Sequence, residues 1–236
     1  IISGNHDSQL RLSFGSKFMK KSDIHISPVY DGNINVEKIK DEYGDIYIYL
    51  LPYLKLSEIR NVYPEMEADC LSDAIKYSIG KMEIDKGKRN IILSHQFVID
   101  AAESEEQNLG GTGAVDFHVY DDFDYAALGH IHRAYSIGRK EVRYSGSPLK
   151  YSLREIFADK SVTIFDMEEK GKIDVKTVAL KPVRDIKQIK GSYYEITNRD
   201  FYKNIKTDDY FHVVLTDEEE IFNAIYNLRT IYPNIM

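Results

Sequence analysis

The fold is decided by residues 125–132, which read YAALGHIH: four apolar residues run directly into a glycine and two histidines. Residues 90–95, NIILSH, repeat the arrangement, with an apolar run that ends in a histidine. Strands that are apolar on both faces are typical of the interior of a covered sheet. Open α/β sheets place their functional sites at the carboxyl ends of such strands. The two stretches therefore predict an α/β fold with a histidine-lined site at the strand ends.

In the rest of the chain, the sequence pattern predicts helices mixed with strands in the early part and mainly strands in the later part. Helices are predicted at 9–20, 56–63, 72–82 and 217–230, and further strands at 24–26, 34–40, 45–53, 134–137, 142–144, 162–165, 173–180, 183–189 and 210–215. Such an order indicates an α/β sandwich of sheets with outer helices. Lys181-Pro182 is the best boundary, and it separates residues 1–181 from a small α+β element at 182–236.

The composition bounds the class of protein. The chain has 236 residues, of which 43% are hydrophobic, and a formal net charge of −7. This content excludes a largely disordered chain, and the single cysteine, Cys70, excludes a disulfide scaffold. Because no apolar run approaches the roughly 20 residues of a membrane helix, we expect a soluble, cytoplasmic protein with no membrane partner. The net acidity disfavours nonspecific nucleic-acid binding but is compatible with a local basic groove.

The segment between Arg89 and Arg133 contains no lysine or arginine. Its carboxylates are Asp100, Glu103, Glu105, Glu106, Asp116, Asp121, Asp122 and Asp124. We interpret most of them as a solvated acidic loop. The glycine run at 110–113 is not a phosphate-binding loop, because no Gly-Lys-Ser/Thr follows it.

Both ends of the sequence are apolar. The chain starts with Ile1-Ile2, without a methionine, and ends with Ile235-Met236. Natural termini are usually polar and loosely held. We therefore expect the sequence to be a piece of a longer protein.

Four of the seven histidines follow apolar strands in a way that suggests a shared site. They are His6, His95, His130 and His132. Each position has an ordinary explanation of its own: a capped turn, a hydrogen-bonded histidine at a strand end, and a chance His-x-His pair. Imidazole suits Mn, Fe and Zn, and amide or carboxylate oxygens complete sites for harder ions. The three coincidences together favour a metal site, whereas His25, His118 and His212 are interpreted as structural or surface residues.

The motifs that carry these histidines resemble those of the calcineurin-like metallophosphoesterases. The signature of that family includes GNH(D/E), a strand-end histidine and GHxH, which match residues 4–7, 94–95 and 129–132 in the same order. Four stretches resemble its DNA-nuclease branch more narrowly: LLPYL at 50–54, ILSHQF at 92–97, FDYAALGH at 123–130 and YSGSPLKYS at 144–152. The resemblance is strong over residues 1–190. It implies a four-layer α/β/β/α sandwich and, at 182–236, part of an α+β capping domain that helps select DNA.

The resemblance also implies a two-metal manganese site. Its ligands are Asn5, His95 and His130 for one ion and His132 for the other. His6 is implied to act on the leaving oxygen near the scissile phosphate, with Asp7 orienting it. The two metals would polarise a phosphodiester and generate a hydroxide nucleophile. The implied activity is that of a double-strand exonuclease and single-strand endonuclease in DNA repair, recombination and replication, acting as a homodimer with an ATPase partner.

Basic residues near the YSGSPLKYS stretch are candidate contacts to DNA phosphate. They are Arg143, Lys150 and Arg154. A strand followed by a turn that Ser147-Pro148 fixes explains the stretch equally well. Lysines at 187, 190, 203 and 206 make the last segment more basic, either to position DNA or as a solvated face.

One departure limits what the resemblance implies. The first two motifs of the family, which include the bridging aspartate, lie upstream of GNHD and outside this sequence. We therefore expect an N-terminally truncated sandwich that binds metal weakly or not at all and does not cleave DNA. The segment that docks on the ATPase is expected further towards the carboxyl terminus. Two other functions stay open: hydrolysis of a small phosphoester or cyclic nucleotide, and a noncatalytic scaffold.

Overall fold

The computed structural model describes residues 1–102 and 113–236. The glutamates at 103, 105 and 106 and most of the glycine run lie outside these residues. The described chain forms two compact units, one of residues 1–147 with 161–178 and the other of residues 148–160 with 179–236. The second unit thus includes a segment, 148–160, that the sequence boundary assigned to the first domain.

The elements of both units are short. The helices are α1 (Gln9–Ser13), α2 (Ser16–Met19), α3 (Leu56–Val62), α4 (Leu71–Gly80), α5 (Tyr193–Thr197), α6 (Arg199–Tyr202) and α7 (Ala224–Arg229). The strands are β1 (Asn35–Asp41), β2 (Gly44–Leu51), β3 (Arg89–Ser94), β4 (Phe97–Ile99), β5 (Ala114–Asp116), β6 (Tyr125–Leu128), β7 (Tyr135–Ile137), β8 (Arg139–Tyr144), β9 (Ser161–Met167), β10 (Ile173–Ala179), β11 (Ile186–Gly191) and β12 (Tyr210–Leu215). Single 3-10 turns lie at Lys20–Ser22, Phe117–Tyr120 and Leu153–Glu155. Among the described residues, no helix is long and apolar enough to cross a membrane.

A six-stranded sheet in the order β1-β2-β3-β6-β8-β7 organises the first unit. The four interior strands β2, β3, β6 and β8 run parallel, and the edge strands β1 and β7 are antiparallel to their neighbours. The carboxyl ends of the four parallel strands therefore lie at one end of the sheet, where sites of α/β proteins are found. Just beyond β3, the short strand β4 pairs in parallel with β5.

Both faces of this sheet are covered, which explains the two-sided apolar strands. Ile92 and Ala126 pack on one face against helices α3 and α4, whereas Ile91 and Tyr125 pack on the other against the hairpin of β9 and β10. Side chains that alternate along β3 and β6 thus enter two different cores. The mixed α/β class that the sequence predicts is confirmed, and the four-layer sandwich stays a prediction.

The second unit has its own small core. Strands β11 and β12 pair in parallel, and Ile196, Phe211 and Tyr232 are fully buried against them. The Tyr232 hydroxyl donates to the Ile196 carbonyl over 2.7 Å, which fixes the chain end on α5. A side-chain cap begins that helix, because Ser192 accepts from the Glu195 amide and Glu195 accepts from the Ser192 amide. A role for this unit as a capping domain stays a prediction.

Two predicted helices are wrong in extent. The helix predicted at 9–20 is broken at Gly15, whose φ of 82° is left-handed, and it forms α1 and α2 instead. The helix predicted at 217–230 is reduced to Ala224–Arg229. There Asp217 accepts a hydrogen bond from the Tyr193 amide, and Asn223 adopts a left-handed φ of 54°, so the acidic turn does not enter the helix.

The short strand predicted at 24–26 is also wrong. These residues have no place in a sheet, although their backbone is held by the start of the chain. The Ile1 amino group donates to the His25 carbonyl over 2.6 Å, and the Ser27 amide donates to the Ile1 carbonyl over 2.8 Å. The segment is therefore held by Ile1 rather than by a strand.

Candidate metal centre

Three loops of the first unit meet in one pocket at the carboxyl ends of the parallel strands. The loops are Gly4–Asp7, the residue after β3, and the residues after β6, and Gly146 and Ser147 after β8 complete the lining. The pocket has a volume of about 430 Å³ and is lined by Gly4, Asn5, His6, Asp7, His95, Gly129, His130, Ile131, His132, Gly146 and Ser147. All six residues that the sequence assigned to catalysis or metal binding line it.

Asn5 lies at the centre of this arrangement. Its Oδ1 is 3.1 Å from His95 Nε2 and 3.4 Å from His130 Nδ1. The two imidazole rings meet edge to face, with centroids 5.6 Å apart. Side chains 90 and 125 residues apart in the sequence thus turn an oxygen and two nitrogens towards each other.

The motif glycines make room for the His95 ring. A Cβ on Gly4 would lie 2.8 Å from His95 Cε1, and one on Gly129 would lie 2.6 Å from His95 Nδ1. Real Cβ atoms do not approach other atoms so closely. The glycines of GNHD and GHxH are therefore explained by the imidazole that packs against both of their backbones.

The backbone of His130 adopts an unfavourable conformation. Its φ of 101° is in the region that side chains with a Cβ rarely adopt. Such conformations cost of order 1–3 kcal/mol and are concentrated at functional sites. The strain places the His130 ring between Tyr53 and Asn5, with the Tyr53 ring stacked on it at a centroid distance of 6.4 Å.

The electrostatics favour neutral rings. Burial lowers the pKa of His95 and of His130 below the usual histidine value, and the other histidines of the pocket lower both further. A neutral imidazole nitrogen either donates its proton to Asn5 or, in the other tautomer, offers a lone pair to a cation. The same geometry therefore allows a hydrogen bond to Asn5 in one tautomer and leaves a lone pair for a cation in the other.

The turn that carries His6 is fixed by Asp7. The Asp7 carboxylate accepts from the Gly4 amide over 2.7 Å, and the Asp7 amide donates to the Gly4 carbonyl over 3.1 Å. His6 and His132 are exposed at the mouth of the pocket. Asp7 thus shapes the backbone on both sides of His6, and its predicted effect on the His6 ring stays a prediction.

The donor set fits one metal ion. Two ligands at right angles, each roughly 2.1 Å from an ion, lie about 3 Å apart, close to the separations around Asn5 Oδ1. Imidazole nitrogens suit transition metals such as zinc and iron, and an amide oxygen suits harder ions such as manganese. For a second ion the pocket offers His132, and the described residues contain no group of three His, Cys, Asp or Glu side chains that could hold a metal.

The three residues predicted to contact DNA do not line the pocket. Arg143 lies on the hairpin face of β8 and donates to Thr163 Oγ1 over 3.3 Å and to Ser136 Oγ over 3.1 Å. In the second unit, Lys150 is largely buried and forms an ion pair of 2.9 Å with Asp185, whereas Arg154 is exposed. Arg143 and Lys150 are thus engaged in contacts within their own units.

Tyr53 contacts two of the pocket histidines, although the sequence analysis gave it no role. Its ring stacks on His130 and meets His95 edge to face at 6.3 Å. The signal was present, since Tyr53 follows the buried strand β2 as His95 follows β3. Strand-end position therefore predicts contact with the site for an aromatic residue as well as for a histidine.

Known nucleases are similar to this chain along its whole length. No protein-family model matches the chain. Two curated proteins match all of it: the SbcD component of the SbcCD nuclease of Staphylococcus epidermidis, 31% identical over 243 residues, and its counterpart in Staphylococcus saprophyticus, 29% identical over 241 residues. The chain spans 63% and 62% of the length of these two relatives.

Proposed function

We propose that this chain, a homologue of SbcD nuclease components over its whole length, provides one metal position and the phosphate-facing histidines of a DNA phosphodiesterase. The observation that carries the proposal is the convergence of Asn5, His95 and His130 from three separate motifs. Ordinary strand-end histidines would not require two glycines and a strained backbone to bring them together.

In this proposal each pocket residue has a distinct task. Asn5, His95 and His130 hold one manganese ion, and His132 contributes to a second. The bound metal supplies charge to polarise the phosphodiester and to activate water. His6, exposed at the mouth, donates a proton to the leaving oxygen or stabilises its developing charge, and Asp7 keeps the turn in place.

The proposed substrate is DNA, and the proposed partner is an SbcC-type ATPase. We propose double-strand exonuclease and single-strand endonuclease activity in DNA repair and recombination within the cytoplasm. The relatives carry the word nuclease and the name of the SbcCD complex in their own names. We further propose that residues 1–181 belong to a four-layer phosphoesterase sandwich and residues 182–236 to a capping domain.

A homodimer is also part of the proposal. After the GNHD turn, Leu10 lies on α1, Phe18 on α2 and Phe14 between them, and these residues are 73%, 78% and 89% exposed. Three large apolar side chains at such exposure are a liability for a monomer. We propose that a second copy of the chain covers them.

A noncatalytic scaffold is the second candidate. The specific observation in its favour is that, of the described residues that line the pocket, His132 alone is assigned to a second ion. In that case the chain keeps the fold and the apolar surface around Phe14 but hydrolyses nothing.

Metal binding is tested on the 236-residue chain by calorimetric titration with manganese. We expect weak binding of one ion that His95→Ala abolishes and His118→Ala leaves unchanged. His118 is a matched control because it is exposed and its Nδ1 lies 3.1 Å from Asp121 Oδ2, outside the pocket. Equal binding by the wild type and the His95 variant would contradict the ligand assignment.

Activity is tested in a chimera in which this chain replaces the matching segment of the Staphylococcus epidermidis protein. We expect manganese-dependent degradation of linear duplex DNA, and its loss on His130→Ala. Hydrolysis of bis(p-nitrophenyl) phosphate without DNA cleavage would favour a small phosphoester as substrate. An inactive chimera that still dimerises would favour the scaffold.

A further inference from the structure

Two fully buried tyrosines lie next to the pocket and use their hydroxyls differently. Tyr120 and Tyr144 are both 0% exposed and belong to the same core. The Tyr120 hydroxyl is 2.8 Å from Ser94 Oγ, so it contacts a side chain. The Tyr144 hydroxyl accepts from the Val98 amide over 2.6 Å and donates to the Gln96 carbonyl over 2.7 Å, so it contacts backbone only.

The two backbone groups held by Tyr144 lie just beyond His95. Gln96 lies in the link between β3 and β4, where the ladder of β3 has ended, and Val98 is the middle residue of β4. A hydroxyl that accepts from one peptide and donates to another replaces the ladder at this point and satisfies two buried groups at once. The backbone after His95 is therefore set by a side chain from β8.

The residues that follow Tyr144 hold the other histidine loop. The Ser147 amide donates to the His132 carbonyl over 3.1 Å. Gly146 has a φ of 75°, and a Cβ there would lie 3.0 Å from the same carbonyl. One short stretch, residues 144–147, thus contacts the backbone of the His95 loop at its start and that of the His132 loop at its end.

We infer that Tyr144 is a positioning residue for the metal centre: its hydroxyl fixes the His95 loop at the distance from the His130–His132 loop that metal binding requires. The metal part of this inference rests on the proposed function. It gives the YSGS stretch a structural task in the site, in place of the DNA contact that the sequence suggested for its surroundings. Partners that orient ligands in this way typically contribute 10–100-fold to metal affinity.

The test is Tyr144→Phe, with Tyr120→Phe as the matched control. Each variant removes one buried hydroxyl from the same core, so both are expected to fold and to lose some stability. The position of the His95 ring is read by NMR with labelled histidine, as contacts from the ring to the α-protons of Gly4 and Gly129. Tyr144→Phe is expected to weaken these contacts at least about twofold, and Tyr120→Phe to preserve them. Unchanged contacts in Tyr144→Phe would overturn the inference.

Manganese titration of the same variants gives the functional measure. Tyr144→Phe is expected to weaken binding about 10-fold or more and Tyr120→Phe less than about twofold. Equal losses would show a general effect of stability and would overturn the inference. A wild-type chain that binds no manganese, but whose His95 ring moves in Tyr144→Phe, would refute the proposed function and leave the positioning role intact.

Hydrogen exchange of the wild type supplies a check that needs no variant. The Val98 amide is expected to exchange as slowly as the amides of β3, because its acceptor is the buried Tyr144 hydroxyl. Exchange as fast as that of an exposed loop amide would show that the Tyr144 hydroxyl does not hold the Val98 amide, and would overturn the inference.

Discussion

Strand β3 has polar residues at both ends, and the two ends differ in what those residues contact. At the start, the Arg89 side chain is 4% exposed, and its guanidinium donates to both oxygens of Asp41, to the Gly44 carbonyl and to the Glu168 carbonyl. Because Glu168 follows β9, Arg89 links the hairpin of β9 and β10 to the central sheet. At the far end of the same strand, His95 turns a ring nitrogen towards Asn5 in an open pocket.

The acidic residues at the Arg89 end are also matched by partners. Asp124 accepts from the Asn90 amide and from Lys170 Nζ, each over 2.8 Å, and Asp122 forms an ion pair of 2.6 Å with Lys86. The carboxylates of this part of the acidic segment are thus engaged in holding strands and turns together.

The contrast between the two ends teaches that clustering of polar groups does not distinguish a structural site from a functional one. At the Arg89 end, the charged groups are paired with opposite charges or form hydrogen bonds with peptide groups. At the His95 end, the ring nitrogens that face Asn5 carry a lone pair in one tautomer of each neutral ring. The glycines and the strained backbone of His130 surround these rings. The informative observation is what the polar atoms contact: paired groups at the Arg89 end and an open pocket at the His95 end.

The largest expected effect is a loss of stability when the contacts at the Arg89 end of β3 are removed. Arg89→Met should lower the free energy of unfolding by about 3 kcal/mol, because a buried cation with several acceptors is removed. The measurement is urea unfolding of the chain. Manganese affinity of the folded variant should not change, since the pocket is at the opposite end of β3. Lys172→Met, at an exposed ion pair with Glu168, is the control and should leave stability unchanged. A loss of manganese binding in Arg89→Met would show that the two ends are not independent.

The next effect is on the site. Gly129→Ala should lower stability by about 2 kcal/mol, because the added methyl group overlaps the His95 ring and the ring must move. Manganese binding should be lost in calorimetric titration. Gly80→Ala is the matched control, since nothing lies within 4 Å of a Cβ there, and it should keep full binding. Manganese binding by Gly129→Ala equal to that of the wild type would contradict the packing described for His95.

A smaller effect separates strain from ligation. His130→Gly and His130→Ala both remove the ligand, but Ala keeps the unfavourable φ of 101°. His130→Gly should therefore be more stable than His130→Ala by about 1 kcal/mol in urea unfolding. At His118, in the 3-10 turn of Phe117–Tyr120, the same two substitutions should rank in the opposite order. An identical order at both positions would remove the argument from strain.

The smallest effect tests the ion pairs around Asp124. Lys170→Met should cost about 0.5 kcal/mol, because the lysine is 38% exposed and water replaces much of its interaction. The loss should shrink in 0.5 M NaCl, a salt concentration that screens exposed charges at a range of about 4 Å. A loss as large as that of Arg89→Met would mean that the partly exposed pair contributes as much as the buried one.

Much of the fold could be predicted from the sequence where local and tertiary preferences agree. The strand Tyr125–Leu128 was predicted to the residue, because every side chain in it is apolar and both faces of the sheet are covered. The helix at 9–20 could not be predicted correctly, because its apolar spacing of four continued across Gly15. Periodicity describes which side chains share a face, and it does not report a left-handed residue between two turns.

The candidate site shows the same division. The histidines could be found from strand ends and motifs, because position along the chain determines the end of the sheet that they reach. The roles of Gly129 and Tyr144 could not, since a steric fit and a bridge between two peptides depend on residues distant in sequence. Charge alone was also insufficient for Lys150, whose ammonium group is taken by Asp185.

The spacing of the ligands has a consequence for how the protein folds. Asn5 is separated from His95 by 90 residues and from His130 by 125, so the centre closes two of the longest loops in the first unit. Closing such loops costs entropy before any contact repays it, and contacts of this kind slow folding. An incompletely folded chain would present a cation with little more than the neighbouring pair His130 and His132. The pocket would therefore be complete only once the parallel strands have aligned, so that, under the proposed function, metal uptake would report completed folding.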